Sequence, residues 1–267
     1  MIQISSSKNP IIKEIKSLYR KKDRWNNKLY IIEGTKLINE AINYGIDIKY
    51  IIYTEKLLKT EEGLGFYNLL NKLRNLINIP ESLFKEICDT ENSQGVLAVV
   101  SFRINDTTEL FSGREKFLLY LDGLQDPGNL GTIIRSADAF KADGILLSEG
   151  CVDPYNSKVV RATMGSIFRV PLYFIKDDYV FLNQLKEKNY RIYATSLEGS
   201  IPNYEITYKD NFIIVIGNES RGISDNIINL ADRLIKIPMP GFAESLNAGV
   251  AASIILYEAM KQRGKKS

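Results

Sequence analysis

From Lys116 onward, short apolar runs and amphipathic segments alternate strictly, and this alternation constrains the fold more than any other feature. Strands are predicted at 117–122, 144–148, 191–196, 212–217 and 234–238, and helices at 130–141, 178–188, near 223–230 and at 246–262. The run Phe212-Ile-Ile-Val-Ile216 is apolar at every position instead of every second one. A strand tolerates that only when both of its faces are covered, as in a parallel sheet flanked by helices. The expected class is therefore α/β, with a parallel sheet and helices on both sides.

A smaller alternation precedes it. Strands are expected at 29–34, 48–53 and 95–100, with helices at 36–45, 63–76 and 80–89. Four segments follow: an arm over 1–28, a small α/β domain over 29–101, a linker over 102–115 and the larger domain over 116–267. The linker, Phe102 to Glu115, has no apolar periodicity. Within residues 8–24, Ile11, Ile12, Ile15, Leu18 and Tyr19 recur at helical spacing. Residues 1–30 carry eight basic groups (Lys8, Lys13, Lys16, Arg20, Lys21, Lys22, Arg24, Lys28) against Glu14 and Asp23, although the whole 267-residue chain is only +3. A basic arm on a nearly neutral body suits phosphate contact. A solvated helix whose Lys and Arg stems cover apolar neighbours fits equally well.

Composition removes several chemistries. The chain has no histidine, which excludes Ser-His-Asp and Cys-His catalysis and most zinc sites. Cys88 and Cys151 lack metal-ligand or redox-pair spacing and are expected to be free buried thiols; no metal is expected. No apolar run reaches the length of about 18 residues needed to span a membrane. The N-terminus, MIQISSSKNPIIKEIK, has no apolar signal core, so a cytoplasmic protein is expected.

Three segments carry polar residues where such folds place ligands. In Leu118–Lys141 a strand ends at Asp122 and a Gly/Pro/Asn loop follows. Asn129 is suited to cap the next helix, whose stripe Leu130, Ile133, Ile134 and Ala137 leaves Arg135 on another face. The Gly128-Asn-Leu-Gly131 spacing does not make the glycine fingerprint of a nicotinamide site. In Phe212–Ser224, a buried strand emerges into Gly217-Asn-Glu219, with Gly222 allowing a tight turn. In Ile237-Pro-Met-Pro-Gly-Phe-Ala-Glu-Ser-Leu-Asn247, a punctuated loop runs into the last helix, with Ser245 and Asn247 at its entry. Taken singly, each residue is explained by capping or by a solvated turn.

Together, in this order and spacing, the three segments resemble the motifs of the SpoU/TrmH-type RNA 2′-O-ribose methyltransferases of the SPOUT superfamily. Asn129 and Arg135 match the first motif, Gly217 to Glu219 with Gly222 the second, and Ile237-Pro-Met with Ser245-Leu-Asn247 the third. Asp153–Pro171 resembles the region between motifs. Tyr30–Ile42 and Ser93–Val100 resemble the family's ribosomal-protein-like RNA-binding domain.

The resemblance implies a parallel-sheet domain with a trefoil knot, S-adenosylmethionine as cofactor, and a homodimer formed through the C-terminal domain. It implies cofactor contacts from Gly217, Ile237 and Leu246, with Thr195 and Met239 as neighbours. Arg135 becomes the central catalytic group, as base or as charge stabiliser, oriented by Glu219 and assisted by Asn129, Ser245 and Asn247. Lys158 and Arg161 are candidate phosphate contacts. The two-domain layout resembles the ribosomal-RNA members. A tRNA ribose methyltransferase and a catalytically silent RNA-binding or assembly protein are the alternatives.

Overall fold

The structure, a computed structural model, describes residues 2–70, 75–111, 113, 115–197 and 201–264. The chain forms two compact units: Met1–Arg103 with Tyr155–Phe168, and Ile104–Pro154 with Arg169–Ser267.

The first unit is built on a five-stranded mixed sheet of β1 (Ile2–Gln3), β2 (Leu29–Glu33), β3 (Ile48–Tyr53), β4 (Leu76–Asn78) and β5 (Val96–Ser101), in the order β1-β4-β3-β5-β2. β5, lying between β3 and β2, runs antiparallel to both, while β1, β4 and β3 are mutually parallel. Its helices are α1 (Pro10–Ser17), α2 (Lys21–Asn27), α3 (Thr35–Asn43), α4 (Glu61–Leu70) and α5 (Glu81–Lys85). The expected helix over 63–76 is shorter, because Leu76 already belongs to β4; residues 71–74 lie outside the described ones.

Residues 1–28 are an integral part of this unit. Ile4, Ile12, Ile15 and Leu18 are buried in one cluster with Ile52, Leu83, Phe84 and Val99. The expected single helix over 8–24 is two, α1 and α2. Buried Arg24 spans the break, donating from Nη1 to the Leu18 carbonyl at 2.7 Å. Lys16 pairs with Glu86 at 2.6 Å and Arg20 with Asp23 at 2.6 Å. Lys8, Lys13, Lys21, Lys22 and Lys28 remain exposed, with no ion pair among the described residues.

The second unit carries a seven-stranded sheet, with every pairing parallel. Its strands are β6 (Phe117–Leu121), β7 (Gly144–Ser148), β8 (Leu172–Ile175), β9 (Arg191–Thr195), β10 (Ile201–Pro202), β11 (Phe212–Ile216) and β12 (Arg233–Lys236), in the order β10-β12-β9-β11-β6-β7-β8. All five residues of β6, β7 and β11 are buried, as their continuous apolar character requires. The remaining helices in chain order are α6 (Pro127–Ala139), α7 (Ser157–Thr163), α8 (Asp178–Glu187), α9 (Asp225–Leu230) and α10 (Ala248–Gly264).

Two expectations about organisation change. The stretch 104–115 belongs to the second unit; within it, Leu110 is buried and its carbonyl accepts the Tyr190 hydroxyl at 2.7 Å. Residues 155–168, including α7, pack with the first unit. There Tyr155 stacks on Phe102 at 3.8 Å between centroids, and Arg161 Nη1 meets Asp89 Oδ2 at 2.9 Å. Among the described residues, no helix is long and apolar enough to cross a membrane.

Candidate active site

Parallel strands bring all their carboxyl ends to one edge of a sheet. Ligands collect at that edge where strand order reverses. Here β6 has β7 on one side and β11 on the other, so the β6–α6 and β11–α9 loops meet beside the reversal.

The first loop ends differently from expectation. Asp126 caps α6, its Oδ1 accepting the Asn129 amide at 2.7 Å, and Pro127 takes the first helical position. Proline is favoured there because its φ is preset and no N–H partner is needed. Asn129 therefore sits inside the first turn, 6% exposed, and its side chain is released from capping. Its Nδ2 donates to Glu219 Oε1 at 3.0 Å, and its Oδ1 accepts from Asn247 Nδ2 at 2.7 Å. One buried amide thus joins all three sequence segments.

The second loop folds back on itself. Asn218 N donates to the Gly222 carbonyl at 2.9 Å, and Gly222 N to the Asn218 carbonyl at 3.0 Å. Gly222 has φ +71°, and a Cβ on Gly217 would lie 2.4 Å from the Gly222 carbonyl carbon. Only glycine at 217 permits that approach. Asn218 Nδ2 ties the loop to the Gly123 carbonyl at 2.7 Å, while its Oδ1 accepts the Ser220 and Arg221 amides. Sequence reasoning passed over Asn218, although an Asn beside a glycine turn is a signal for such side-chain-to-backbone bonding.

Glu219 lies at the surface, yet its carboxylate also accepts the Gln125 amide at 3.3 Å and the Asp126 amide at 3.1 Å. Burial pushes its pKa up, but the hydrogen bonds from Asn129 and from backbone amides outweigh it and hold the group below its ordinary value. Glu219, expected to orient Arg135, makes no hydrogen bond to it. Arg135 stands six residues beyond Asn129, about 9 Å further along the helix. It is exposed and has no polar partner among the described residues.

The third loop is bonded only at its end. Asn247 Oδ1 accepts the Gly249 and Val250 amides at 3.0 and 3.2 Å, capping α10. Residues 237–246, by contrast, make no hydrogen bond to any described residue. Ile237 and Met239 are half-buried, Ser245 is exposed, Leu246 is 37% exposed and Phe242 is fully exposed. Ile237 just follows β12 and Gly217 just follows β11, whereas Thr195 ends β9, which lies between those two strands. Thr195 is half-buried, and its hydroxyl donates to the Val215 carbonyl at 3.0 Å. Gly217 likewise has no backbone partner among the described residues.

Arg161, expected as a phosphate contact, is paired with an acidic residue in this structure. Asp89 neutralises it within the first unit, and the same Asp89 oxygen accepts the Ser157 hydroxyl at 2.8 Å. Lys158 remains exposed. Among the described residues, no group of three or more ligating side chains is placed to hold a metal ion.

An all-parallel sheet, a polar cluster at its strand-order reversal and a loop whose backbone bonds no described residue place this unit in the class of α/β domains that take ligands at their strand ends. The chain belongs to the SpoU rRNA methylase family, whose model matches residues 116–257. The model of an MRM3-like substrate binding domain matches residues 9–98. The chain is 34% identical over 260 residues to the 23S rRNA (guanosine(2553)-2′-O)-methyltransferase RlmP of Bacillus subtilis, covering 96% of this chain and 98% of that one. A 23S rRNA (uridine(2479)-2′-O)-methyltransferase of Streptomyces viridochromogenes is 31% identical, with 88% and 83% covered. The crystal structure of an AdoMet-bound rRNA methyltransferase from Sinorhizobium meliloti superposes with a TM-score of 0.84, at 32% identity and 97% coverage of both chains.

Proposed function

We propose that this chain is an S-adenosylmethionine-dependent methyltransferase acting on a ribose 2′-oxygen of ribosomal RNA of the large subunit. The observation that carries the reading is the hydrogen-bonded chain Glu219–Asn129–Asn247. It unites the three motifs at a sheet edge beside a loop with free backbone groups.

S-adenosylmethionine, when bound, supplies a methyl group on an electrophilic sulfonium. The residues present suit it. Gly217, Ile237 and Leu246 have backbone groups with no hydrogen-bond partner among the described residues, and these residues, like Met239 and Thr195, carry no charge, which suits a neutral adenine. Buried or ligand-facing backbone groups need partners, and the 237–246 segment retains them for a ligand. A guanidinium is a poor proton acceptor, so stabilising the developing 2′-oxyanion is chemically easier for Arg135 than removing the proton. Ser245 has no hydrogen-bond partner among the described residues and is assigned to the ribose–phosphate, together with Asn247.

The test is 2′-O-methyl mapping of ribosomal RNA from a deletion strain. Loss of one site should be restored by the wild-type gene but not by Arg135→Ala, which should lower kcat on the order of a hundredfold or more. An unchanged methylation map, or full complementation by Arg135→Ala, rejects the reading. Loss of a tRNA methylation instead would move the substrate to tRNA.

Three finer assignments belong to the same proposal. The exposed Lys8, Lys13, Lys21, Lys22 and Lys28 contact RNA phosphates. Changing all five to Gln should make the salt dependence of RNA binding shallower, by roughly 0.7–0.9 in log–log slope per lost contact; an unchanged slope rejects them. Removing residues 1–28 is no substitute, because it also removes core residues. Val250, Ile254 and Tyr257 share one face of α10 and are 46%, 38% and 53% exposed, which supports a dimer contact with a second copy. Ile254→Asp should yield monomers in sedimentation, and a monomeric wild type rejects the contact. Family membership supports the trefoil knot in the C-terminal segment. Stretching the chain from both ends should then stop short of its full contour length, and full extension rejects the knot.

A further inference from the structure

The hydrogen-bonded chain through Asn129 has a direction, and its two ends impose it. Glu219, held ionised, offers only acceptor atoms, so Asn129 must turn Nδ2 toward it. The Gly249 and Val250 amides offer only donors, so Asn247 must turn Oδ1 toward them. The middle bond then has one possible sense, from Asn247 Nδ2 to Asn129 Oδ1 at 2.7 Å. A solitary amide can flip, since its O and N are nearly the same size. Neither of these amides can flip without setting donor against donor or acceptor against acceptor.

Each Nδ2 carries two N–H groups. Asn129 spends one on Glu219, and Asn247 spends one on Asn129. One N–H on each therefore has no acceptor among the described residues. Asn129 is almost wholly buried, where an unmade hydrogen bond is costly. The site thus presents paired donors and calls for lone-pair oxygens in whatever binds.

We propose that Glu219 is a positioning residue that acts through Asn129 on Asn247, setting a one-way relay whose two remaining N–H donors receive oxygen atoms of the RNA ribose–phosphate backbone. The assignment of RNA as ligand rests on the proposed methyltransferase function; the relay itself does not. Glu219 takes no proton from substrate in this scheme: its part is to accept three donors and fix the sense of the relay.

Two isosteric changes test it. Asn247→Asp keeps the α10 cap but sets a carboxylate against Asn129 Oδ1. Glu219→Gln sets a donor against both Asn129 Nδ2 and the Asp126 amide, or, turned the other way, against the Gln125 amide. Each single variant should lower Tm. In the double variant Glu219→Gln/Asn247→Asp, Asn129 can invert, accepting from Gln and donating to Asp. Its Tm should therefore exceed the value expected from adding the two single losses. Methyl transfer should not recover with it, because the donor at 247 is gone: the KM for RNA should stay about tenfold raised in both variants carrying Asn247→Asp, with S-adenosylmethionine affinity unchanged. Strictly additive Tm changes would overturn the relay. A near-normal KM in Asn247→Asp would overturn the donor role. A wild-type protein that methylates no RNA would sink the functional reading alone, since the Tm cycle still reports on the relay.

Discussion

Two loops at the same end of the seven-stranded sheet are built in opposite ways. Residues 217–223 are pinned: Asn218 and Gly222 bond each other twice, Asn218 reaches Gly123, and Glu219 receives three donors from the β6–α6 region. Residues 237–246 hydrogen-bond to no described residue and expose Phe242 completely. Folding meets the cost of ordering the first loop, so its geometry exists before any ligand arrives. The second has backbone groups that bond no described residue, and on our reading ligand binding supplies the partners. One wall of the site is prebuilt, and the other is completed by what it binds.

The sharpest way to break this contrast is a matched pair of glycine changes. Gly217→Ala drives a Cβ to 2.4 Å from the Gly222 carbonyl carbon, whereas a Cβ on Gly241 would meet nothing within 4 Å. We expect Gly217→Ala to cost about 1–3 kcal/mol of stability, as overpacking does, and to abolish most methyl transfer by displacing Glu219. Gly241→Ala should stay within about 0.5 kcal/mol of wild type, as surface changes do. Thermal melts with activity assays on both proteins decide it, and equal effects would show that 217–223 is no more constrained than 237–246.

Amide hydrogen exchange gives a second, smaller contrast. Without ligand, amides of 237–246 should exchange rapidly while Asn218 and Gly222 are protected. Adding S-adenosylmethionine should slow exchange across 237–246, with little change at 217–223. Protection of both loops before ligand is added would remove the distinction between them.

The pinned loop was the more legible of the two in sequence, and the reason is physical. Gly217 and Gly222 occur together because a tight, self-bonded turn needs them, whereas the bonding of Asn218 went unread. Continuous apolar strands likewise betrayed the parallel sheet. What stayed hidden depended on residues far apart in the chain. With Asp126 capping α6, the Asn129 side chain is free to bond Glu219, a partner 90 residues away. Arg161 looked like a phosphate ligand until Asp89, 72 residues earlier, paired with it. Tyr155 has no local feature announcing that it stacks on Phe102. Arg135 remains in the sequence pattern of the site but outside its hydrogen-bonded cluster, since six helical residues separate it from Asn129.

The smallest expected effect concerns acid. Glu219 has a folded-state pKa held below its ordinary value, so over that interval the unfolded chain binds more protons than the native one. The contribution to stability is then fully present above the unfolded pKa and is lost as pH falls through the folded one. The pinned loop should therefore loosen in mild acid. Glu219→Gln removes the titrating group, so the stability lost between neutral pH and pH 4 should be smaller in the variant than in wild type. Because Glu219 is largely exposed, solvent screening keeps the difference small. It is best read as a divergence of the two Tm-versus-pH curves below about pH 5. Parallel curves through that range would mean that the three donors on Glu219 hold the loop no more tightly when its carboxylate is charged.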